Sequence, residues 1–324
     1  MKPLFITIFL FTASFGFAQK KIISVSYLKN DGKYVTMRDS ADYFRLVTEP
    51  DSGSVFYNVA EYYKDSKRKL IGMSSTIDPP VFEEQCVRFY KNGNKQSITT
   101  YKKGLPVGHE YEFYTNGKPY LVKDYPDNSD PYNDINNNYL IIANYDSSGT
   151  VQVEDGNGYY KGYDSNFKYI YEEGTVKNGK RDSLWKGNYK NITTAFTESY
   201  KDGLLISGTA TYEDGKSATY AKTRGVPPQF KGGLNAFSSY LGRSIEYPID
   251  ARSNNVQGKV ILSFIVEKDG KISNIVVAKS VSPSIDAEAV RVIRNSPRWI
   301  PGTQFGRPVR VSYGVPISFN LSGN

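Results

Sequence analysis

The residue types that most often act as nucleophiles, general bases and metal ligands are scarce in this chain. It contains one cysteine, Cys86, and one histidine, His109, among 324 residues. A Ser-His-Asp or Cys-His arrangement would have to use His109 as its base. One cysteine cannot form an internal disulfide, and one histidine cannot build a His-rich metal site. We therefore predict no enzyme activity, no catalytic residue, no metal site and no cofactor.

Oxygen ligands are dense in one segment, residues 124–139, where Asp and Asn are interspersed with Pro and Tyr. This composition raises a Ca²⁺ hypothesis, because Ca²⁺ is bound by carboxylate and carbonyl oxygens. The segment lacks the Asp-x-Asp-x-Asp-Gly spacing of an EF-hand loop, and Asp, Asn and Pro are also the usual turn-forming residues. We predict a solvated loop.

The N-terminal residues have the features of an export signal. A basic residue precedes an apolar run from 4 to 18, and Gly16 and Ala18 place small side chains before Gln19. The run has fifteen residues, whereas a helix needs roughly 20 to span a bilayer. We predict a cleaved signal peptide at 1–18, with an uncleaved membrane anchor as the alternative.

The distribution of tyrosine divides the remaining chain into two regions. Of 27 tyrosines, three follow residue 225. We predict a β-repeat region at 55–222 and a separate domain at 226–324. Residues 19–54 have strand-like patterning and no assignment.

The central region repeats a short aromatic and turn pattern. Residues 89–95, Phe-Tyr-Lys-Asn-Gly-Asn-Lys, recur in shorter form at 113–118, 24 residues later, and again at 211–216. The Asn-Gly and Asp-Gly pairs supply the φ > 0 residues of hairpin turns, and the flanking aromatic residues favour strands. The recurrence predicts stacked β-hairpins that cannot bury a face alone.

One stretch of this region, residues 176–189, resembles a MORN-type repeat of the variant found in bacterial antitoxin-like proteins. It carries an Asn-Gly-Lys turn at 178–180, and Trp185 leads into an aromatic strand. It departs from the family at Ser183, where Gly is common. The resemblance implies a β-rich scaffold or binding surface, and a packed structural spacer is the simpler interpretation.

Residues 226–324 have the pattern of a compact α+β domain. Apolar residues at helical spacing predict two helices, the first capped by Gly242 and the second ended by Pro297. Two strand-like runs flank a two-residue Asp-Gly turn at 269–270, which predicts a hairpin. The final strand has apolar residues at odd positions, and Pro316 in its even register predicts an edge strand or a bulge. The helix faces are Leu234, Phe237 and Leu241, then Ile285, Ala289, Val292 and Ile293; the strands are 259–266, 271–279 and 309–321.

A series of short motifs extends through the same region. The motifs are Phe-Lys-Gly-Gly-Leu at 230–234, Tyr-Pro at 247–248, Asp-Gly-Lys-Ile at 269–272, Ser-Pro-Arg-Trp-Ile-Pro-Gly at 296–302 and Val-Pro-Ile-Ser-Phe at 315–319. In this order they resemble the C-terminal domain of TonB-family energy transducers, over residues 226–321. The predicted fold is therefore mostly β, with a MORN-like β-hairpin repeat region followed by a small α+β TonB C-terminal-type domain.

The resemblance to the TonB family also implies a partner and a location. In that family an exposed final strand captures an extended peptide, the TonB box, from the periplasmic plug of outer-membrane receptors by β-strand addition. It implies a non-enzymatic periplasmic protein of a Gram-negative envelope, associated with TonB-dependent transport. The partner-binding residues carried over to this chain are Val309, Arg310, Val311, Ser312, Tyr313, Gly314 and Val315, with Tyr247 and Pro248 as a neighbouring contact.

The charge of the C-terminal region limits its partners. Residues 226–324 contain five Lys and seven Arg against three Asp and three Glu, a net charge of +6. Duplex-binding and base-stacking motifs are absent, so we expect no nucleic-acid partner. Anionic lipid headgroups, peptidoglycan and an acidic receptor plug suit this charge. Motor-complex proteins are a further candidate partner.

A second function class stays open at this point. Complete transducers of the TonB family have an uncleaved N-terminal membrane helix and a Pro-rich linker, whereas the 16 prolines of this chain are scattered. If the signal is cleaved, no inner-membrane motor can pull on the protein through its own chain, although strand capture is unaffected. The alternative is a structural envelope or cell-wall scaffold that uses the repeats for assembly.

Overall fold

The computed structural model describes residues 20–126, 139–190 and 192–321. The predicted signal peptide and most of the oxygen-rich segment lie outside these residues. No helix within them combines the length and apolar character needed to cross a bilayer. The chain divides into two compact units, residues 1–157 and 158–324.

The first unit is an antiparallel β-meander with a 3-10 turn at Arg38–Ser40. Its strands are β1 (Ile22–Leu28), β2 (Tyr34–Val35), β3 (Tyr43–Thr48), β4 (Tyr57–Tyr63), β5 (Arg68–Ser74), β6 (Phe82–Phe89), β7 (Lys95–Lys102), β8 (Leu105–Pro106), β9 (Gly108–Phe113), β10 (Pro119–Tyr125), β11 (Leu140–Tyr145) and β12 (Val151–Glu154). From β3 to β7 each strand pairs with the next, and the order continues through β9 to β12. Because β1 pairs with β3, the segment that sequence patterning leaves unassigned extends the same sheet.

Two kinds of turn join the hairpins of the meander. At 90–94 and 114–118 a tyrosine N–H donates to the carbonyl four residues later, and only the glycine has a positive φ. This geometry is a three-residue loop with a glycine bulge. At 103–104, and at 178–179 and 202–203 in the second unit, both residues have a positive φ, as in two-residue type I′ turns.

Tyrosine hydroxyls connect successive turns in the first unit. The Tyr90 hydroxyl donates to the Phe113 carbonyl at 2.7 Å, and the Tyr114 hydroxyl donates to the Tyr145 carbonyl at 2.8 Å. Burial raises the pKa of Tyr90 to about 12, so its hydroxyl stays protonated at neutral pH. A tyrosine thus buries its ring and satisfies a backbone carbonyl at once, which accounts for the tyrosine-rich composition of the region.

The second unit combines further meander strands with an α+β region. Its elements are β13 (Asn157–Tyr163), β14 (Ile170–Lys177), β15 (Lys180–Gly187), β16 (Ala195–Lys201), β17 (Leu204–Thr211), β18 (Ser217–Tyr220), β19 (Gly225–Val226), α1 (Gly233–Ser244), α2 (Ile249–Ser253), β20 (Gly258–Val266), β21 (Ile272–Lys279), α3 (Pro283–Arg294), β22 (Thr303–Gln304), β23 (Arg307–Pro308) and β24 (Val311–Phe319). Strands β13 to β18 pair antiparallel in chain order. Two three-stranded sheets follow, β19-β22-β23 and β21-β20-β24. The predicted fold class, mostly β with a small α+β C-terminal region, is confirmed.

The α+β region has one apolar core. Alternate residues of β20 and β24 pack with residues of all three helices. The predicted face of α3 is fully buried, and Ser282 caps this helix by accepting from the Ile285 N–H at 3.4 Å. The buried core residues are Phe230, Phe237, Ala251, Val260, Leu262, Phe264, Val266, Ile285, Ala289, Ile293, Trp299, Val315, Ile317 and Phe319.

Three local predictions for this region are wrong. Helix α1 does not end at Gly242 but continues to Ser244, and Leu234 is 78% exposed instead of lying on the buried face. The turn at 268–270 has three residues, because the Glu267 N–H donates to the Lys271 carbonyl and only Gly270 has a positive φ. A Cβ at Gly270 would lie 2.0 Å from a neighbouring carbonyl oxygen. Glycine is therefore required here by close packing as well as by the positive φ of the turn.

Candidate functional site

Strand β24 forms one side of the β21-β20-β24 sheet. It pairs with β20 along its whole length, from Val311 opposite Val266 to Phe319 opposite Gly258. Within the part of the chain that the structure describes, no other strand pairs with β24. Its outer side therefore presents unpaired backbone donors and acceptors, which is the arrangement that accepts an added strand.

The hydrogen bonding of β20 shows which residues of β24 point outward. The Glu267 N–H donates to the Lys271 carbonyl, on the β21 side. In an antiparallel strand, the backbone N–H and C=O groups of alternate residues point to opposite neighbouring strands. The backbone groups of Val266 therefore point toward β24, where Val266 lies opposite Val311. The odd residues of β24 therefore bond to β20, and the even residues, including Gly314, direct their N–H and C=O groups to the open side. Pro316 has the same parity, so its missing N–H falls on the open side, as expected for an edge strand.

The inner face of β24 is held firmly by the core. Val315, Ile317 and Phe319 are buried, and the half-buried Tyr313 ring lies 5.5 Å from the ring of Trp299. The even residues Ser312, Gly314, Pro316 and Ser318 are exposed. The alternation predicted from the sequence is therefore observed, and the open edge belongs to a strand whose inner face is packed in the core.

The remaining carried-over residues lie at the two ends of the strand. Val309 and Arg310 precede β24, and the Arg310 guanidinium donates to the Glu267 carboxylate at 2.7 and 3.0 Å. These hydrogen bonds lower the pKa of Glu267. At the other end, Tyr247 stacks edge-on against Phe319 at 5.9 Å and donates its hydroxyl to a backbone carbonyl. Pro248 immediately precedes α2. The structure thus places Val309 and Arg310 before the first residue of β24 and Tyr247 beside its last residue, Phe319.

A buried charge cluster connects the meander strands to the α+β region of the second unit. Arg224 donates to Glu198 at 2.8 and 2.5 Å and to Glu172 at 3.2 Å, and Arg181 bonds to Glu172 at 2.9 and 2.5 Å. Burial raises the pKa of Glu172, but the charges of Arg181 and Arg224 outweigh this effect and hold it below its usual value. Burial and the Glu172 charge raise the pKa of Tyr189. Every charge in the cluster has an opposite partner, so the cluster is suited to holding the strands together.

The β22–β23 hairpin packs on the last meander strands beside this cluster. Phe305, at its tip, is 3% exposed and lies 5.7 Å from Phe196 and 5.5 Å from Tyr220, ring centre to ring centre. The Tyr212 hydroxyl donates to the Phe305 carbonyl at 2.7 Å. This hydrogen bond joins a tyrosine hydroxyl to a backbone carbonyl, as do the hydrogen bonds between successive turns of the first unit. Sequence reasoning did not identify these contacts, because Tyr212 and Phe305 lie 93 positions apart and no local motif links them.

The two residues considered first for chemistry, Cys86 and His109, lie in different environments. Cys86 is buried, and burial raises the pKa of its thiol to about 11. His109 is exposed, with its Nε2 3.4 Å from a carboxylate oxygen of Asp124. Among residues 20–126, 139–190 and 192–321, no group of three or more His, Cys, Asp and Glu residues could hold a metal ion.

Comparison with known proteins identifies the α+β region. Residues 243–321 match the family model of the Gram-negative bacterial TonB protein C-terminal domain. No curated protein matches the chain. The matched domain belongs to a family that is linked to TonB-dependent transport, is non-enzymatic and interacts with TonB-dependent receptors. Proteins of that family are located in the periplasm or cell envelope. The MORN-type resemblance and the domain boundaries at 55, 222 and 226 stay predictions.

Proposed function

We propose that this protein is exported to the periplasm through a cleaved signal at residues 1–18 and there captures plug peptides of outer-membrane TonB-dependent receptors by β-strand addition to β24. It acts without catalysis. The observation that carries the proposal is the outward direction of the backbone groups of the even residues of β24, on a strand with no second neighbour in the described structure.

The chemistry of the edge supports a short captured segment. Ser312 and Gly314 offer N–H and C=O groups on the open side, whereas Pro316 offers only a carbonyl. Hydrogen bonding to a partner strand is therefore continuous up to Gly314 and interrupted after it. We propose that the captured segment lies along this interval, within the site predicted from the sequence, Val309 to Val315. Arg310, which is ion-paired with Glu267, precedes this interval, in a region whose net charge is +6.

A pair of substitutions at Gly314 tests strand addition in the full chain. Gly314→Ala keeps the N–H, and its Cβ would meet only one backbone oxygen, at 3.9 Å. Gly314→Pro removes the N–H from the open side. We expect Gly314→Pro to weaken the binding of receptor plug peptides at least about tenfold, because it removes a backbone hydrogen bond and adds a steric clash. Gly314→Ala is expected to bind like the wild type in calorimetric titrations.

A third variant separates loss of binding from loss of folding. Pro316→Ala adds an N–H on the open side, so plug peptides should bind about fivefold more tightly. Thermal unfolding of each variant serves as the folding control. Equal affinity for all variants would exclude β24 as the binding edge. Absence of peptide binding at millimolar concentration, together with cosedimentation of the chain with peptidoglycan, would favour the envelope-scaffold function instead.

A further inference from the structure

An open groove lies at the N-terminal end of β24, within the second unit. It has a volume of about 540 Å³, in the range of about 300–1,000 Å³ that is typical of ligand sites. Its walls come from the loop between β15 and β16, the turn after β17, the turn after β20 and the β22–β23 hairpin, and it ends directly before the edge strand. The lining residues are Ile192, Tyr212, Lys268, Gln304, Arg307, Pro308 and Val309.

The walls of the groove are held in place by internal contacts. The Arg307 guanidinium is ion-paired with Asp214 and lies 4.4 Å above the centre of the Tyr212 ring. The Tyr212 hydroxyl donates to the carbonyls of Gln304 and Phe305 at 3.2 and 2.7 Å. A groove that is already ordered loses little conformational entropy when a ligand enters it.

The lining combines apolar surface with polar groups that lack partners. Ile192 is 38% exposed, and Pro308 and Val309 continue this apolar surface. The Lys268 ammonium is exposed and has no ion pair or hydrogen bond with any described residue. The Gln304 carboxamide likewise has no partner among residues that the structure describes. A ligand that fits these groups has an aliphatic side chain for the apolar wall and a carboxylate for Lys268.

We propose that this groove binds the flanking segment of the captured peptide, with an acidic side chain paired to Lys268 and an aliphatic side chain packed on Ile192 and Val309. The inference rests on the proposed function. A strand that lies along β24 and continues beyond Val311 reaches Val309 within about two residues, at about 3.3 Å per residue. Ile192 and Tyr212 belong to the meander region, so the hairpin strands contribute a wall of the binding site and select the partner.

Three peptides test the groove with the full chain. The first is a plug peptide alone, and the other two carry an added Glu-Leu-Glu segment at the N-terminus or the C-terminus. Because the groove lies at one end of β24, only one of the two extensions should reach it. We expect that extension to raise affinity about fivefold to tenfold at physiological salt, as for one favourable charge pair with added apolar contact.

Two charge reversals assign the gain in affinity to the groove. Lys268→Glu should abolish the gain from the extension and leave the affinity for the unextended peptide nearly unchanged. Lys279→Glu is the matched control, since it makes the same charge change at an exposed residue at the end of β21. The gain should persist in Lys279→Glu, because the groove does not include this residue.

The outcomes distinguish the inference from the function on which it rests. If the unextended peptide binds and neither extension helps, or both help equally, the groove inference is wrong and strand capture stands. Equal loss in the two charge-reversal variants would mean long-range attraction and would also exclude the groove. If no peptide binds, the proposed function fails, and the groove inference fails with it.

Discussion

The meander strands and the α+β region of the second unit bury different kinds of residues. In the meander, Glu172 and Glu198 are 2% and 1% exposed and are paired with arginines, whose guanidinium groups lie over aromatic rings. In the α+β region the core is apolar, and Glu288 is its one buried charged residue within the described chain. Three helices supply the second layer of that core, whereas the meander covers its buried face with long side chains of Tyr, Arg and Glu.

This difference implies two kinds of sensitivity. An apolar core is damaged by cavities, in proportion to the volume removed. A buried ion-pair network is damaged when one partner is removed, because the other charge is left buried and unpaired. Both tryptophans of the chain, Trp185 and Trp299, lie in the second unit, one in each region. Their fluorescence therefore reports on the unfolding of this unit.

The largest effect is expected from a cavity in the apolar core. Phe264 is 1% exposed and contacts the rings of Trp299 and Tyr313. Phe264→Ala should lower the free energy of unfolding by about 3–5 kcal/mol, measured by urea denaturation. Val276→Ala, at a position that is 60% exposed on β21, should change it by less than about 0.5 kcal/mol. A loss below 1 kcal/mol for Phe264→Ala would show that the core can collapse around the cavity.

A smaller loss is expected from the charge network. Arg224→Met keeps much of the side-chain volume and leaves Glu198 buried without its cation, so it should cost about 3 kcal/mol in the same assay. Adding Glu198→Gln should recover part of this loss, because the uncompensated charge is removed. Arg310→Met is the surface control, since its ion pair is 55% exposed on the arginine side, and should cost less than about 1 kcal/mol. Equal losses for the two arginines would contradict the buried role of Arg224.

The tyrosine bonds between turns offer a direct comparison of the two units. Tyr90→Phe removes the hydrogen bond to the Phe113 carbonyl, and Tyr212→Phe removes the corresponding bond to the Phe305 carbonyl. Each should cost about 1 kcal/mol, measured by thermal unfolding. Similar losses for the two variants would show that the β22–β23 hairpin is held by the same kind of tyrosine hydrogen bond that joins successive turns of the first unit. A cost near zero for Tyr212→Phe alone would mean that Phe305 is held by its ring contacts.

The last effect is the loss of stability on acidification that Glu172 contributes. Despite burial, the charges of Arg181 and Arg224 hold the pKa of Glu172 below its ordinary value of 4.5. The unfolded chain therefore takes up this proton first, so the stabilisation is complete above pH 4.5 and is lost as pH falls toward the folded-state pKa. Urea midpoints between pH 7 and pH 3 should fall less steeply in Glu172→Gln than in the wild type. Parallel curves would assign the acid sensitivity to other carboxylates.

Local patterns in the sequence predicted much of the α+β region. The alternation of β24, the buried face of α3 and the hairpin of β20 and β21 depend on periodicities of two or 3.6 residues, which are visible within short windows. The errors were also local. The helix prediction stopped at Gly242 because glycine is a common cap, yet the Ile245 N–H bonds to the Leu241 carbonyl and extends the helix. The Asp-Gly turn was one residue longer than predicted.

The sequence by itself determined the approximate positions of α1, α3, β20, β21 and β24, the apolar faces of α3 and β24, and that Pro316 suits an edge. Only the tertiary structure decided which backbone groups of β24 are open, because their direction depends on the pairing of β20 with both neighbours. It also brought Arg224 to Glu172, 52 positions away, and Tyr212 to Phe305, 93 positions away. Contacts between residues so far apart depend on how whole elements pack, and no local spacing encodes them.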